Sequence, residues 1–217
     1  MKENTVLTAL ESREAEAEEI AERVIKKPSL LPELLSGIRS TKPEVKFGSA
    51  KTLRIISEKA PRTMYAHMDF FEKLLDSDNN ILKWNAIDII ANLTVVDSDD
   101  RFNKIFRKFY DQLDEGNLIT AGHVVDSSSI IAHAKPEFRD EIVKELLRVH
   151  EIPLPTEECR NILIGKTITA FDGFYEEIRD KEAVVSFVRR QLDNTRNATK
   201  SKAEKFLKKC EKTGKAS

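Results

Sequence analysis

The chain has 217 residues, of which 40% are hydrophobic and 34% are charged, and its formal net charge is −1 at pH 7. This composition is typical of a soluble globular protein that can bury a sizeable core, and no apolar run is long enough to span a membrane. The near-zero charge argues against a surface built throughout for nucleic acid. The residues Met1–Asn4 lack the charged-then-apolar layout of a secretory signal, so we expect a cytoplasmic protein. The two cysteines, Cys159 and Cys210, cannot form a disulfide framework and are expected to be buried free thiols.

Helical patterns follow one another along nearly the whole chain. Apolar residues recur at intervals of three and four, and the alternation of period two that would indicate strands is absent. Prolines and short polar turns separate the helices; Pro43, for example, lies near the first position of a helix that ends at Ala60-Pro61. The expected helices cover about 12–26, 28–38, 43–59, 62–76, 80–95, 102–113 and 117–135, a pair between 136 and 173, and a last pair at about 181–193 and 196–211. The chain is therefore predicted to be all-α.

Two of these helices share a sequence pattern. The segments 45–53 and 82–90 each contain an aliphatic residue, a lysine, an aromatic residue, two small or polar residues and then apolar positions. Their first members, Val45 and Leu82, lie 37 residues apart, which is a spacing typical of arrays of helical pairs. Such arrays bury a core only by stacking neighbours, and they expose a long surface that usually serves binding.

The helix over 117–134 departs from this pattern. Its inward stripe contains Ala121, Gly122 and Ser129, and the run 126–129 places four poor helix formers together. Small residues permit tight packing between neighbouring repeats, whereas an irregular helix can also mark a functional pocket. Both interpretations are open at the level of the sequence.

The repeated segments resemble a known family. Pro43-x-Val45-Lys46-x-x-Ser49-Ala50-x-x-Leu53 is similar to the second-helix signature of HEAT repeats, Leu82-Lys83-x-x-Ala86-x-x-x-Ile90 is a second copy, and weaker copies begin at Cys159-Arg160 and Thr199-Lys200. The resemblance covers about residues 28–211. It implies a right-handed α-solenoid of about five antiparallel helix pairs plus an N-terminal helix. We expect a single domain over 1–217, with frayed ends at 1–11 and 212–217.

The resemblance also implies roles for particular faces and residues. The first helices of the pairs would form the convex surface and the second helices the concave one. The basic residue after the aliphatic position would join an internal polar ladder with acidic turn residues; these basic residues are Lys46, Lys83, Arg160 and Lys200. Asp76 or Asp78 would be the partner of Lys83, and the third unit lacks a basic residue at this position.

Two aromatic residues at equivalent positions of the repeat are the strongest candidates for a binding site. Phe47 aligns with Lys51 and Arg54 on one helix, and Trp84 aligns with Asp88 on the other. Equivalent positions on neighbouring helices lie close together, and aromatic and arginine side chains dominate the energetics of protein interfaces. The alternative is that both rings pack against an adjacent helix, such as one from the acidic N-terminal segment.

Catalytic and metal-binding patterns are absent from the sequence. His123 and Asp126 share a helix face, but His133 lies off that line, and a metal site needs three or four converging ligands. No phosphate-binding loop, nucleophile elbow or metalloprotease helix occurs. We therefore expect no enzymatic activity, no metal, no cofactor and no small-molecule substrate.

The C-terminal end is basic. Residues 196–217 contain eight lysines and arginines against two glutamates. A solvated end cap explains this charge, because terminal repeats need a polar outer face. The sequence favours a non-enzymatic scaffold or adaptor that binds a protein in its concave groove through Phe47, Lys51, Arg54, Trp84 and Asp88. The alternative is a nucleic-acid-binding protein, similar to the HEAT-like DNA alkylation-repeat glycosylases, that uses the basic end.

Overall fold

The computed structural model describes the backbone of residues 5–214 and the side chains of residues 5–212. Within that range the regular structure consists of α-helices and short 3₁₀ turns, and no strand is present. The contacts divide the chain into two compact units, Met1–Ile105 and Phe106–Ser217. Each unit is described separately below, and the single domain expected from the sequence stays a prediction.

Thirteen α-helices lie in the described residues. The first unit contains α1 (Val6–Ser12), α2 (Ala17–Lys26), α3 (Leu31–Gly37), α4 (Pro43–Lys59), α5 (Pro61–Met64), α6 (Met68–Leu74) and α7 (Asn80–Thr94). The boundary between the units falls inside α8 (Arg101–Asp111). The second unit contains α9 (Leu118–Ala134), α10 (Arg139–Leu147), α11 (Glu157–Phe174), α12 (Lys181–Arg189) and α13 (Asn197–Gly214). The predicted all-α fold is confirmed.

Local sequence signals determine where most helices begin. Proline occupies the first position of α4, where its missing N–H needs no partner. The side chain of Asn79 caps α7 by accepting a hydrogen bond from the backbone N–H of Leu82 at 3.2 Å. The Asp97 carboxylate caps α8 by accepting hydrogen bonds from two backbone N–H groups, at 2.9 Å and 3.0 Å. The hydroxyl of Tyr65 donates a third bond to Asp97 at 2.6 Å and thereby ties α8 to the turn after α5.

Each unit buries the apolar stripes that the periodicity predicts. In the first unit, Leu53 of α4 and Ile90 of α7 are fully buried, and α4 packs against both α2 and α7. In the second unit, α11 packs against α9 and α13, and Phe171 is fully buried. The helices therefore stack on their neighbours in chain order, as a repeat array requires.

The N-terminus differs from the expected frayed end. Residues 6–12 form α1, and Val6, Ala9 and Leu10 of this helix are buried. These apolar residues lie at helical spacing and pack against α3 and α4. Arg13 then adopts a left-handed conformation with φ 55°, which separates α1 from α2 where one continuous helix from residue 12 was predicted. At the C-terminal end, residues 212–214 of the segment 212–217 that was expected to be frayed belong to the last helix of the chain, and the expected fraying at 1–4 and 215–217 lies outside the described residues.

Four lysine–carboxylate pairs join a helix to the second helix after it in the chain, and all four run in the same direction. In each pair the carboxylate comes from the earlier helix and the lysine from the later one, 33–40 residues further along the chain. The pairs are Glu18–Lys51 and Glu22–Lys59 between α2 and α4, Asp126–Lys166 between α9 and α11, and Asp172–Lys209 between α11 and α13. These side chains are largely exposed to solvent, so the pairs add little to stability.

The two cysteines are free thiols, but each is half-buried and not fully buried as expected. Cys159 lies in the first turn of α11 and Cys210 in the last turns of α13. The difference is one of exposure and leaves the absence of a disulfide framework unchanged.

Candidate functional site

The five residues predicted to bind a partner lie on two helices that pack against each other in the first unit. Phe47, Lys51 and Arg54 belong to α4, while Trp84 and Asp88 belong to α7. Buried residues lie between these five along both helices. The five residues themselves lie on the sides of the helices that retain contact with solvent. We call this set of five residues the aromatic face.

Exposure differs among the members of the aromatic face. Lys51 is exposed, whereas Phe47, Arg54, Trp84 and Asp88 are half-buried. The two rings therefore belong neither to the fully buried core nor to the freely exposed surface. Each ring retains apolar area that a second surface could cover.

The N-terminal helices border one side of the aromatic face. The ammonium of Lys51 lies 3.1 Å from the Glu18 carboxylate of α2, and its hydrogen bond lowers the pKa of that carboxyl. Leu10 of α1 lies against Gly48, where an added Cβ would approach the leucine Cδ2 to 2.8 Å. A groove of about 250 Å³ lies between this segment and α4. The N-terminal segment therefore contacts α4 at Gly48, the residue that follows Phe47. The ammonium of Lys51 is already paired with a carboxylate of this segment.

The basic residues expected in an internal ladder have unequal environments. Lys83 is only 8% exposed, whereas Lys46 and Arg160 are half-buried. Lys200 is exposed, which differs from the expectation. The rotation of α13 explains the difference, because it turns the preceding residue, Thr199, into the core and Lys200 toward solvent.

A network of uncharged polar groups joins α11 to the start of α13 instead. The amide of Asn161, which is 6% exposed, donates to the Thr195 hydroxyl at 2.9 Å and accepts from the Asn194 amide at 2.9 Å. The hydroxyl of Thr199 donates to the backbone oxygen of Asn161 at 2.7 Å. The sequence analysis missed this network, because the repeat motif predicts an internal role for Arg160 and none for the adjacent Asn161. The polar character of residues 194–195 was the sequence signal that could have indicated it.

The basic C-terminal end is partly neutralised by α11. Arg196 forms an ion pair with Glu158, and the ammonium of Lys209 lies 2.6 Å from the carboxylate of Asp172. Lys202 donates instead to a backbone oxygen of α11, at 3.0 Å. The end cap is therefore fastened to the preceding helix while several of its ammonium groups remain exposed.

The irregular helix α9 uses its small and polar residues for packing. Ser128 is fully buried, and its hydroxyl donates to the backbone oxygen of Val124 at 2.8 Å and lies 3.1 Å from the hydroxyl of Tyr110. Burial raises the pKa of Tyr110 and keeps its phenol neutral. Gly122 leaves room for the side chain of Lys166, whose Cε would lie 3.2 Å from an added Cβ. These contacts support the packing interpretation of this helix.

The described residues also bear on metal binding and on membrane insertion. No group of three or more His, Cys, Asp or Glu side chains among them could hold a metal ion. Likewise, none of the helices in the described range is long and apolar enough to cross a membrane.

The structure is similar to those of designed and engineered repeat proteins. A designed armadillo repeat protein matches with a TM-score of 0.64 at 16% identity, over 94% of this chain and 92% of that chain. The crystal structure of an engineered protein matches with a TM-score of 0.55 at 15% identity, over 93% and 86% of the two chains. No protein-family model and no curated protein matches the sequence. At these identities the likeness shows the fold alone, and that fold is an armadillo/HEAT-like α-solenoid, as the repeated segments predicted.

Proposed function

Starting from an armadillo-like helical repeat fold, we propose that the protein is an interaction scaffold that binds another protein through the aromatic face. Repeat solenoids generally serve as scaffolds for protein interactions and are typically non-enzymatic. The observation that carries the proposal is the placement of Phe47 and Trp84 at equivalent positions on the packed helices α4 and α7, each half-buried.

The chemistry of the aromatic face fits a protein partner. Half-buried aromatic rings offer apolar area that is already partly ordered, so a partner that covers them gains burial at a small cost in side-chain entropy. Arg54 and Asp88 carry opposite charges and are also half-buried, which favours a partner with both charges around an apolar anchor. The exposed Lys51 adds a positive charge that Glu18 only partly satisfies.

Removing both rings tests the proposal. The variant Phe47→Ala/Trp84→Ala and the wild-type protein are immobilised and used to recover proteins from the same lysate, with quantification by mass spectrometry. We expect a subset of proteins to be lost with the variant. For a partner identified in this way, each ring should contribute about 2 kcal/mol, or roughly a 30-fold change in Kd.

A matched control separates binding from general damage. Phe70 of α6 is another half-buried aromatic residue of the first unit, and it lies on a first helix outside the aromatic face. Phe70→Ala should retain the partners that the double variant loses. Arg54→Glu and Asp88→Lys keep both rings, so they test the same face if circular dichroism shows that the double variant is unfolded. Equal recovery of proteins by the wild type and by all of these variants would show that the rings serve only packing.

A further inference from the structure

A cleft of about 270 Å³ lies between α11 and α13 in the second unit. Ile168, Thr169 and Asp172 line it from α11, and Lys202, Lys205, Phe206 and Lys209 line it from α13. The three lysines are spaced by three and four residues, so they form one stripe about 10 Å long on the face of α13. We call this feature the lysine cleft.

The charges in the lysine cleft are not balanced. Lys209 is paired with Asp172 at 2.6 Å, whereas Lys202 donates to a backbone oxygen and lacks a carboxylate partner among the described side chains. Lys205 is exposed, and the same range of side chains offers it no ion pair. Two of the three ammonium groups are therefore available to an anionic ligand.

The surroundings of Lys202 disfavour its charged form. Partial burial lowers the pKa of its ammonium, and the positive charges of Lys166 and Arg196 lower it further, while Asp126 acts in the opposite direction. A carboxylate placed in the cleft would remove this repulsion, and it would raise the pKa of Lys202 again.

We propose that the lysine cleft binds an acidic segment of a partner protein, in which carboxylates flank an apolar side chain. The carboxylates would pair with Lys202 and Lys205, and the apolar side chain would lie against the aliphatic parts of these two lysines, above the buried Ile168 and Phe206. The lining favours a peptide over a nucleic acid, because Phe206 is 3% exposed and the cleft therefore offers no aromatic face on which a base could stack.

Fluorescence anisotropy with a synthetic peptide tests this proposal on the full chain. The probe is a labelled peptide of about twelve residues, long enough to extend along the cleft, with four glutamates around a central leucine. Lys202→Gln/Lys205→Gln should weaken its binding about tenfold, because two charge pairs are lost. Replacement of the probe's glutamates by glutamines should have a similar effect, and replacement of its leucine by serine should also weaken binding.

The control changes the same number of charges elsewhere on α13. Lys208 and Lys212 are exposed and do not line the cleft, so Lys208→Gln/Lys212→Gln should leave the Kd of the probe within about twofold. Equal loss of affinity in both lysine variants would overturn the proposal, since it would indicate a diffuse electrostatic attraction. Tighter binding of a labelled single-stranded oligonucleotide than of the peptide, or no measurable binding of the peptide by the wild type, would also overturn it.

Discussion

At the residue scale, Gly165 of α11 occupies a position where α13 packs closely against it. An added Cβ would be 2.7 Å from the hydroxyl oxygen of Thr199. That threonine is 1% exposed and is fixed by its hydrogen bond to the backbone of Asn161, so it has little freedom to move away. The close approach explains a glycine inside a helix, where it otherwise costs about 1 kcal/mol relative to alanine.

We therefore expect Gly165→Ala to destabilise the protein despite its higher helix propensity. The clash with Thr199 should lower the free energy of unfolding by about 1–2 kcal/mol. Thr169→Ala provides the control, because Thr169 is exposed one turn further along α11 and its change should stay within about 0.5 kcal/mol. Urea denaturation followed by circular dichroism measures both, and unchanged stability of Gly165→Ala would show that Thr199 can move.

The sequence alone predicts that apolar residues point inward, but it does not always predict which of two adjacent polar residues is buried. Val45 and Leu53 were assigned correctly because their apolar character leaves no choice. In contrast, Lys200 was expected inside and Thr199 proved to be the buried residue. One position along a helix corresponds to a rotation of about 100°, and a degenerate motif does not fix that rotation at the last repeat.

At the scale of elements, Arg148 fastens the end of α10 to the turn that follows α8. Its guanidinium donates two hydrogen bonds to the Asp114 carboxylate, at 2.8 Å and 2.9 Å, and a third bond to Glu145. The hydrogen bonds from Arg148 hold the pKa of Asp114 below its usual value. A bidentate pair of this kind is the geometry in which a partly exposed ion pair contributes measurably to stability.

This pair predicts a pH-dependent stability. Because the folded-state pKa of Asp114 is lowered, its contribution is present above the ordinary carboxyl pKa and is lost as the pH falls through the lowered value. Asp114→Asn should therefore reduce stability at pH 7 by about 1 kcal/mol, allowing for solvent screening, and the deficit should shrink in acid. Asp193→Asn is the control, since Asp193 is exposed and forms no ion pair in the described part of the chain. A deficit that is constant with pH would contradict this account.

The bounds of most helices could be predicted from the sequence because punctuating residues mark them. Pro43 and Lys59 bound α4 as expected, and Asn80 begins α7. The break at Arg13 was missed, because a left-handed arginine has no sequence signature comparable to that of glycine. The helix α1 was missed with it, and so was the groove that borders the aromatic face.

At the scale of the whole molecule, a repeat fold makes contacts mainly between neighbours in the chain, so its two compact units should respond separately to local damage. Phe71 in the first unit and Phe171 in the second are both fully buried, and they form a matched pair for testing this idea.

The repeat fold could be predicted from the sequence because the 37-residue spacing between equivalent segments is still recognisable. The exposure of Phe47 could not be predicted, since it depends on how α1 and α2 pack against α4.

Hydrogen exchange of the variants Phe71→Leu and Phe171→Leu measures this separation. Each substitution should cost about 1–2 kcal/mol and accelerate exchange roughly tenfold within its own unit. We expect α4 and α7 to lose protection in the first variant, and α9 and α11 to lose it in the second. A similar acceleration in all four helices in both variants would show that the chain opens as one cooperative body.

The direction of the lysine–carboxylate pairs bears on how such a chain can change its length. Helix α11 carries both halves of this pattern, because its Lys166 pairs with Asp126 of α9 before it and its Asp172 pairs with Lys209 of α13 after it. Duplication of a whole segment would therefore supply both halves of a new pair in the correct order. Insertion of a partial segment would leave charges without their counterparts. The same pairs that add little to stability can thus act as a register for the gain or loss of complete repeats.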